Sequence, residues 1–87
     1  MSGYIIAKAN LLCSDVHLEP IGSLIECKKS AIELKKSNPN INFKKEEVAE
    51  NWPKGCYAVD ASDIYWNKHS TGRLNIRGYP VCKSGKK

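Results

Sequence analysis

Pro53-Lys54-Gly55-Cys56-Tyr57-Ala58-Val59-Asp60-Ala61-Ser62-Asp63-Ile64-Tyr65-Trp66 is the stretch whose reading decides the fold. Residues 56–59 and 64–66 are short runs of apolar and aromatic residues. Asp60-Ala61-Ser62-Asp63 between them makes a four-residue connection, so the segment predicts a β-hairpin. Pro53-Lys54-Gly55 reads as the turn that feeds it, with Gly55 supplying the tight bend. Side chains alternate across a strand, so Tyr65 and Trp66 cannot both face inward.

Upstream, Ser23-Leu24-Ile25-Glu26 has the S-x-x-E form of a capping box, with Ile21 placed for a hydrophobic staple. Leu24, Cys27, Ala31 and Leu34 recur at helical spacing, and Ile25 and Ile32 widen that apolar stripe. The pattern predicts a helix over residues 23–35, with Lys28, Lys29, Glu33 and Lys36 in water and Cys27 on the buried face. Ser37-Asn38-Pro39-Asn40 ends it. Tyr4 to Ala9 reads as a first strand and residues 13–20 as a connection. Residues 41–51 read as a loop with at most a short turn, and residues 67–78 as a long surface loop. Tyr79-Pro80-Val81-Cys82 reads as a final strand. The expected fold is α+β, one helix packed on a small antiparallel sheet and stapled by two disulfides, with residues 1–83 as one module and 84–87 as a disordered basic tail.

Four cysteines carry the strongest constraint on class. Cys13, Cys27, Cys56 and Cys82 are widely spaced, and no CxxC pair occurs among them. Short zinc domains bring ligands in close pairs, and neither His17 nor His69 is paired tightly with a cysteine, so no metal and no cofactor is expected. Two disulfides in 87 residues fit an oxidising, extracellular compartment. A chain of this size buries only about 60–65% of its unfolded surface, so covalent staples matter to its stability. Four cysteines allow three pairings. The simplest is nested, Cys27 on the helix with Cys56 at the start of the hairpin and Cys13 with Cys82 in the last strand. The N-terminus shows no secretory signal, which fits a mature domain or one cut from a longer chain. No apolar run approaches the roughly 20 residues of a membrane span.

Charge is uneven. The net charge is +5, yet residues 1–63 hold eight Lys/Arg against nine Asp/Glu, and from Ile64 onward there are six basic residues and no acid. Tyr65, Trp66, Lys68, His69, Arg73, Arg77 and Tyr79 in that acid-free stretch are the candidate ligand-binding residues. Arginine forks suit sulfate or carboxylate, and aromatic faces stack on sugar rings. The competing structural role has one aromatic packing on the helix, Asn67 bracketing the loop through backbone amides, and the charges simply solvated. No candidate catalytic residue emerges. His69 and Ser70 are chain neighbours, a poor arrangement for a nucleophile and its base, and oxidised cysteines supply no thiolate.

Pro53-Lys54-Gly55-Cys56-Tyr57, Ile64-Tyr65-Trp66-Asn67-Lys68-His69-Ser70-Thr71-Gly72 and Pro80-Val81-Cys82-Lys83 together resemble a cysteine module of large extracellular proteins from algae, protists and marine invertebrates. Cys13, Ile21 and Cys27 match its upstream positions. Two departures are the Lys28-Lys29-Ser30 run, where that module has an Ala-rich helix, and the Lys/Glu-rich stretch 36–50. The resemblance implies a setting and an architecture, not a reaction. The expected function is a non-catalytic extracellular recognition module for an anionic glycan or an acidic protein surface, monomeric or one unit of a longer chain. Alternatives are a free-standing secreted effector (toxin, antimicrobial or inhibitor) and, needing reduced cysteines, a nucleic-acid binder.

Overall fold

A computed structural model describes residues 3–84; the last three residues of the expected basic tail lie outside the described residues. The elements are strand β1 (Tyr4–Ile6), a 3-10 turn at Cys13–Val16, β2 (Glu19–Pro20), helix α1 (Leu24–Lys35), β3 (Asn42–Glu47), β4 (Pro53–Val59), β5 (Asp63–Gly72) and β6 (Gly78–Lys83). The strand order is β1-β6-β4-β5-β3, with β2 also paired to β6. No helix among the described residues is long and apolar enough to cross a membrane.

The α+β class and the helix agree with the sequence. Ser23 caps α1 by accepting the Glu26 amide at 3.1 Å. The Glu26 carboxylate, expected to reach back to the cap, instead accepts from Tyr4 and from Lys83, each at 3.3 Å, and ties the first turn of the helix to β1 and β6. The inward face is made of small residues, Cys27, Ser30 and Ala31, with Leu24 and Leu34 partly buried. Ile25 and Ile32 do not join it: they are 79% and 64% exposed. At 100° per residue they lie nearly opposite Cys27, so the apolar stripe is narrower than composition alone implies.

The sheet differs from the expected antiparallel one. β3 pairs with β5 in parallel, from Asn42 opposite Asp63 to Glu47 opposite Asn67. Its sequence, NFKKEE, carries four charges in six residues, which hides a strand from any apolar pattern. An edge strand tolerates this composition because charged side chains reach water and discourage pairing with other chains. β5 runs to Gly72 rather than ending at Trp66, and β4 begins at Pro53 rather than after a turn. Between Asn67 opposite Gly55 and Gly72 opposite Pro53 the register slips, so residues 68–71 bulge out of the pairing. The hairpin itself is as expected, except that Asp63 already pairs with Val59 and the link is three residues, two of which, Asp60 and Ala61, have positive φ.

Both disulfides form in the nested arrangement, Cys13–Cys82 and Cys27–Cys56, with Cα separations of 5.7 and 5.5 Å. Cys27–Cys56 lies in the main core, where Ile21, Ala31, Ile41, Ala58, Ile64 and Val81 pack between helix and sheet. Cys13–Cys82 closes a second, smaller cluster with Ala7 and Leu18.

Because β4 and β3 flank β5, the chain leaving β3 must cross β5 to enter β4. It crosses on the face opposite α1, where Trp52 stacks on Tyr57 and Tyr57 on Tyr65, with ring centroids 5.5 and 5.7 Å apart. Asn67, 1% exposed, holds the crossing. Its Oδ1 accepts the Ala49 and His69 amides at 2.8 and 3.1 Å. Its Nδ2 donates to the carbonyls of Ala49, Trp52 and Pro53 at 2.7, 3.1 and 3.0 Å. Each buried polar group left without a partner costs about 1–3 kcal/mol. Asn67→Leu, close in size, is therefore expected to lose at least about 3 kcal/mol in urea unfolding with both disulfides intact, and a loss under about 1 kcal/mol would show that Asn67 does not hold the crossing.

Candidate functional site

Strand β6 changes partner along one edge. Gly78, Tyr79 and Pro80 pair with β4, whereas Cys82 and Lys83 pair with β2. β4 leaves β6 below Tyr57, and at this fork the sheet opens into a cleft of about 710 Å³. One wall comes from the N-terminal third, with Leu11, Leu12 and Pro20-Ile21-Gly22. The other comes from Pro53-Lys54-Gly55 and Thr71-Gly72-Arg73-Leu74, and Trp66 and Val81 lie between them.

Two glycines shape the second wall. Gly55 has φ of +88°, and a Cβ there would stand 3.9 Å from the Trp66 ring, so the bare backbone lies beside the indole. Gly72 has φ of +60°, and a Cβ would sit 2.5 Å from the Lys54 nitrogen and 2.6 Å from the Trp52 carbonyl oxygen, space no other residue can use. His69 builds the bulge that presents this wall. Its Nδ1 accepts the Gly72 amide at 2.8 Å and the Thr71 amide at 3.2 Å. The Arg73 amide then donates to the Trp52 carbonyl at 2.9 Å, which docks the turn on the crossing segment. Leu12 and Leu74 stand at the mouth, 54% and 38% exposed.

The seven candidate residues from the acid-free stretch do not form one surface. Trp66 and Arg73 line the cleft. Tyr65 lies on the opposite face, stacked on Tyr57, and Tyr79 packs against the main core. Lys68 is 3.9 Å from Glu46, and His69 serves its own turn. Arg77 forks onto Asp60 at 3.0 and 2.6 Å at the tip of the hairpin. The sequence gives no comparable prominence to Lys54, Leu12 or Leu74, which the fork brings to the cleft. The one available signal was the pair of glycines flanking that wall.

Among the described residues Lys54 and Arg73 make no ion pair, and neither do Lys8, Lys28, Lys29, Lys35 and Lys45, whereas Lys36, Lys44, Lys68, Arg77 and Lys83 do. Lys54 and Arg73 are set apart by lining the cleft. On the opposite face, burial and then the hydrogen-bonded Glu47 carboxylate push the Tyr57 phenol far above its ordinary range. All four cysteines are bonded, and among the described residues no cluster of three or more His, Cys, Asp or Glu is arranged for a metal. No protein-family model, curated protein or solved structure matches the chain.

Two outcomes follow from this geometry. Gly72→Ala is expected to lower stability by at least about 2 kcal/mol, from a left-handed backbone plus a contact with two backbone atoms, read by thermal unfolding. The hydrogen bond from Arg77 holds the Asp60 carboxyl below its ordinary range. With its folded pKa depressed, Asp60 contributes stability above the unfolded carboxyl pKa and loses it as pH falls through the lowered folded value. Carboxyl NMR titration should find Asp60 returned toward the ordinary aspartate range in Arg77→Ala.

Proposed function

We propose that this chain is a non-catalytic extracellular recognition module that binds an anionic partner at the β6 fork. One observation carries the proposal: two cations without an ion-pair partner among the described residues, Lys54 and Arg73, flank an apolar cleft that contains Trp66. Concave, mostly apolar sites with a few placed polar groups are the usual form of a ligand site. The cations give it a sign. The two disulfides and the resemblance to extracellular cysteine modules support the setting. The non-catalytic character is supported by His69, whose Nδ1 is engaged by its own backbone turn, and by the absence of any thiol among the bonded cysteines.

The test uses polyglutamate and heparin as anionic probes and a charge-matched control. Lys54→Ala with Arg73→Ala removes two charges at the cleft; Lys68→Ala with Arg77→Ala removes two elsewhere. The first pair is expected to weaken binding at least about tenfold, roughly the 1.4 kcal/mol of a lost charged contact, and the second less than about twofold. Equal losses for the two pairs would mean that net charge, not the cleft, drives binding.

A further inference from the structure

Resting on the cleft as the binding site, we infer that its occupant is an acidic protein segment with one large apolar anchor, not a sulfated glycan. The lining decides between them. Leu12, Pro20, Ile21, Leu74, Val81 and Trp66 offer carbon surface, and among their side chains only the indole carries a donor. A sugar ring carries hydroxyls on nearly every carbon, and most of them would leave water for carbon surface, with Lys54 and Arg73 at one wall able to pair only a few.

Apart from the Trp66 indole, the two uncharged polar side chains of the cleft, Asn67 and Thr71, are engaged within the protein. Asn67 spends its amide oxygen and nitrogen on five backbone groups. The Thr71 hydroxyl lies 3.4 Å from His69 Nδ1. Lys54 and Arg73 remain, on the same wall as Leu74. This arrangement matches a side chain such as Phe or Leu entering between the two walls while neighbouring carboxylates meet the cations. A volume of about 710 Å³ suits such an anchor with parts of its flanking residues, within the usual range of about 300–1,000 Å³ for small-ligand sites. Leu12 and Leu74 are apolar residues held in water at the mouth, and a protein segment crossing the rim would cover both. Buried apolar anchors surrounded by a polar rim are the energetic pattern of protein interfaces.

The experiment follows the Trp66 indole and the Gly55 and Arg73 amides by NMR in the disulfide-bonded protein, with the Trp52 indole as internal reference. The probes are Ac-Glu-Phe-Glu-NH2, Ac-Gln-Phe-Gln-NH2, Ac-Glu-Ala-Glu-NH2 and a sulfated heparin disaccharide. The first is expected to shift the Trp66 indole with a Kd at least about fivefold below the other three, a modest factor suited to a three-residue probe. Lys54→Ala with Arg73→Ala should erase the advantage of Glu over Gln. Leu12→Ser with Leu74→Ser, two mouth residues outside both core clusters, should erase the advantage of Phe over Ala. If the disaccharide shifts Trp66 as well as or better than the peptide, the cleft stands as the site and the protein-segment assignment falls. If no probe moves Trp66 at millimolar concentration, both fall together.

Discussion

Everything on the far side of the sheet depends on the crossing of β5 by the chain between β3 and β4. A crossing segment brings its own amides and carbonyls into a place with little water, and they need partners. One side chain supplies them. Asn67 offers both a donor and an acceptor group from a single rigid amide, and it reaches Ala49, Trp52, Pro53 and His69 at once. With the segment seated, Trp52 stacks on Tyr57, and the Trp52 carbonyl is placed to receive the Arg73 amide. The wall of the cleft is thus an indirect product of the buried asparagine.

The helix side is simpler. Cys27, Ser30 and Ala31 let α1 lie close to the sheet, and the Cys27–Cys56 bridge fixes the point of approach. The hydroxyl of Ser30 is satisfied by the Cys27 carbonyl at 2.7 Å, so a polar residue is buried there without an orphan group. Each bridge stabilises by about 2–4 kcal/mol, chiefly by limiting the unfolded chain. Net stabilities of domains are only about 5–15 kcal/mol, so the loss of either bridge removes a large share of that margin.

What the sequence shows plainly is what depends on local pattern. Ser23 and the Cys27–Ala31–Leu34 spacing mark the helix, and the turn formers at 60–63 mark the hairpin. The nested cysteines follow once those two are placed. β3 is hidden because its partner β5 lies some twenty residues away and its charges face water. The true extent of β5 is hidden because Lys68 to Thr71 bulge, and a bulge reads as loop in any alternating pattern. Only Trp66 and Arg73 of the candidate site meet in the cleft. Arg77 has the same charge but sits beside Asp60, a neighbour that appears only when Asp60 and Ala61 adopt positive φ. Lys54 gains its position from the strand departure at Gly55, a tertiary event with a faint local signature.

The chain enters and leaves this fold at one corner. Tyr4 pairs with Lys83, and the Gly3 carbonyl accepts the Ser84 amide at 2.9 Å. If residues 3 and 84 were pulled in opposite directions, β1 and β6 would separate pair by pair, as a zipper opens, under little tension. The Cys13–Cys82 bridge would then carry the load covalently from one side to the other. Residues 14–81, with most of the core, the crossing and the cleft wall that holds Lys54 and Arg73, lie inside that covalent loop and would bear no force. Leu11 and Leu12 of the other wall lie on the stretched side of the bridge. A module strung in this way hangs from its tether as a side branch, with only Leu11 and Leu12 of its cleft tied to the stretched line.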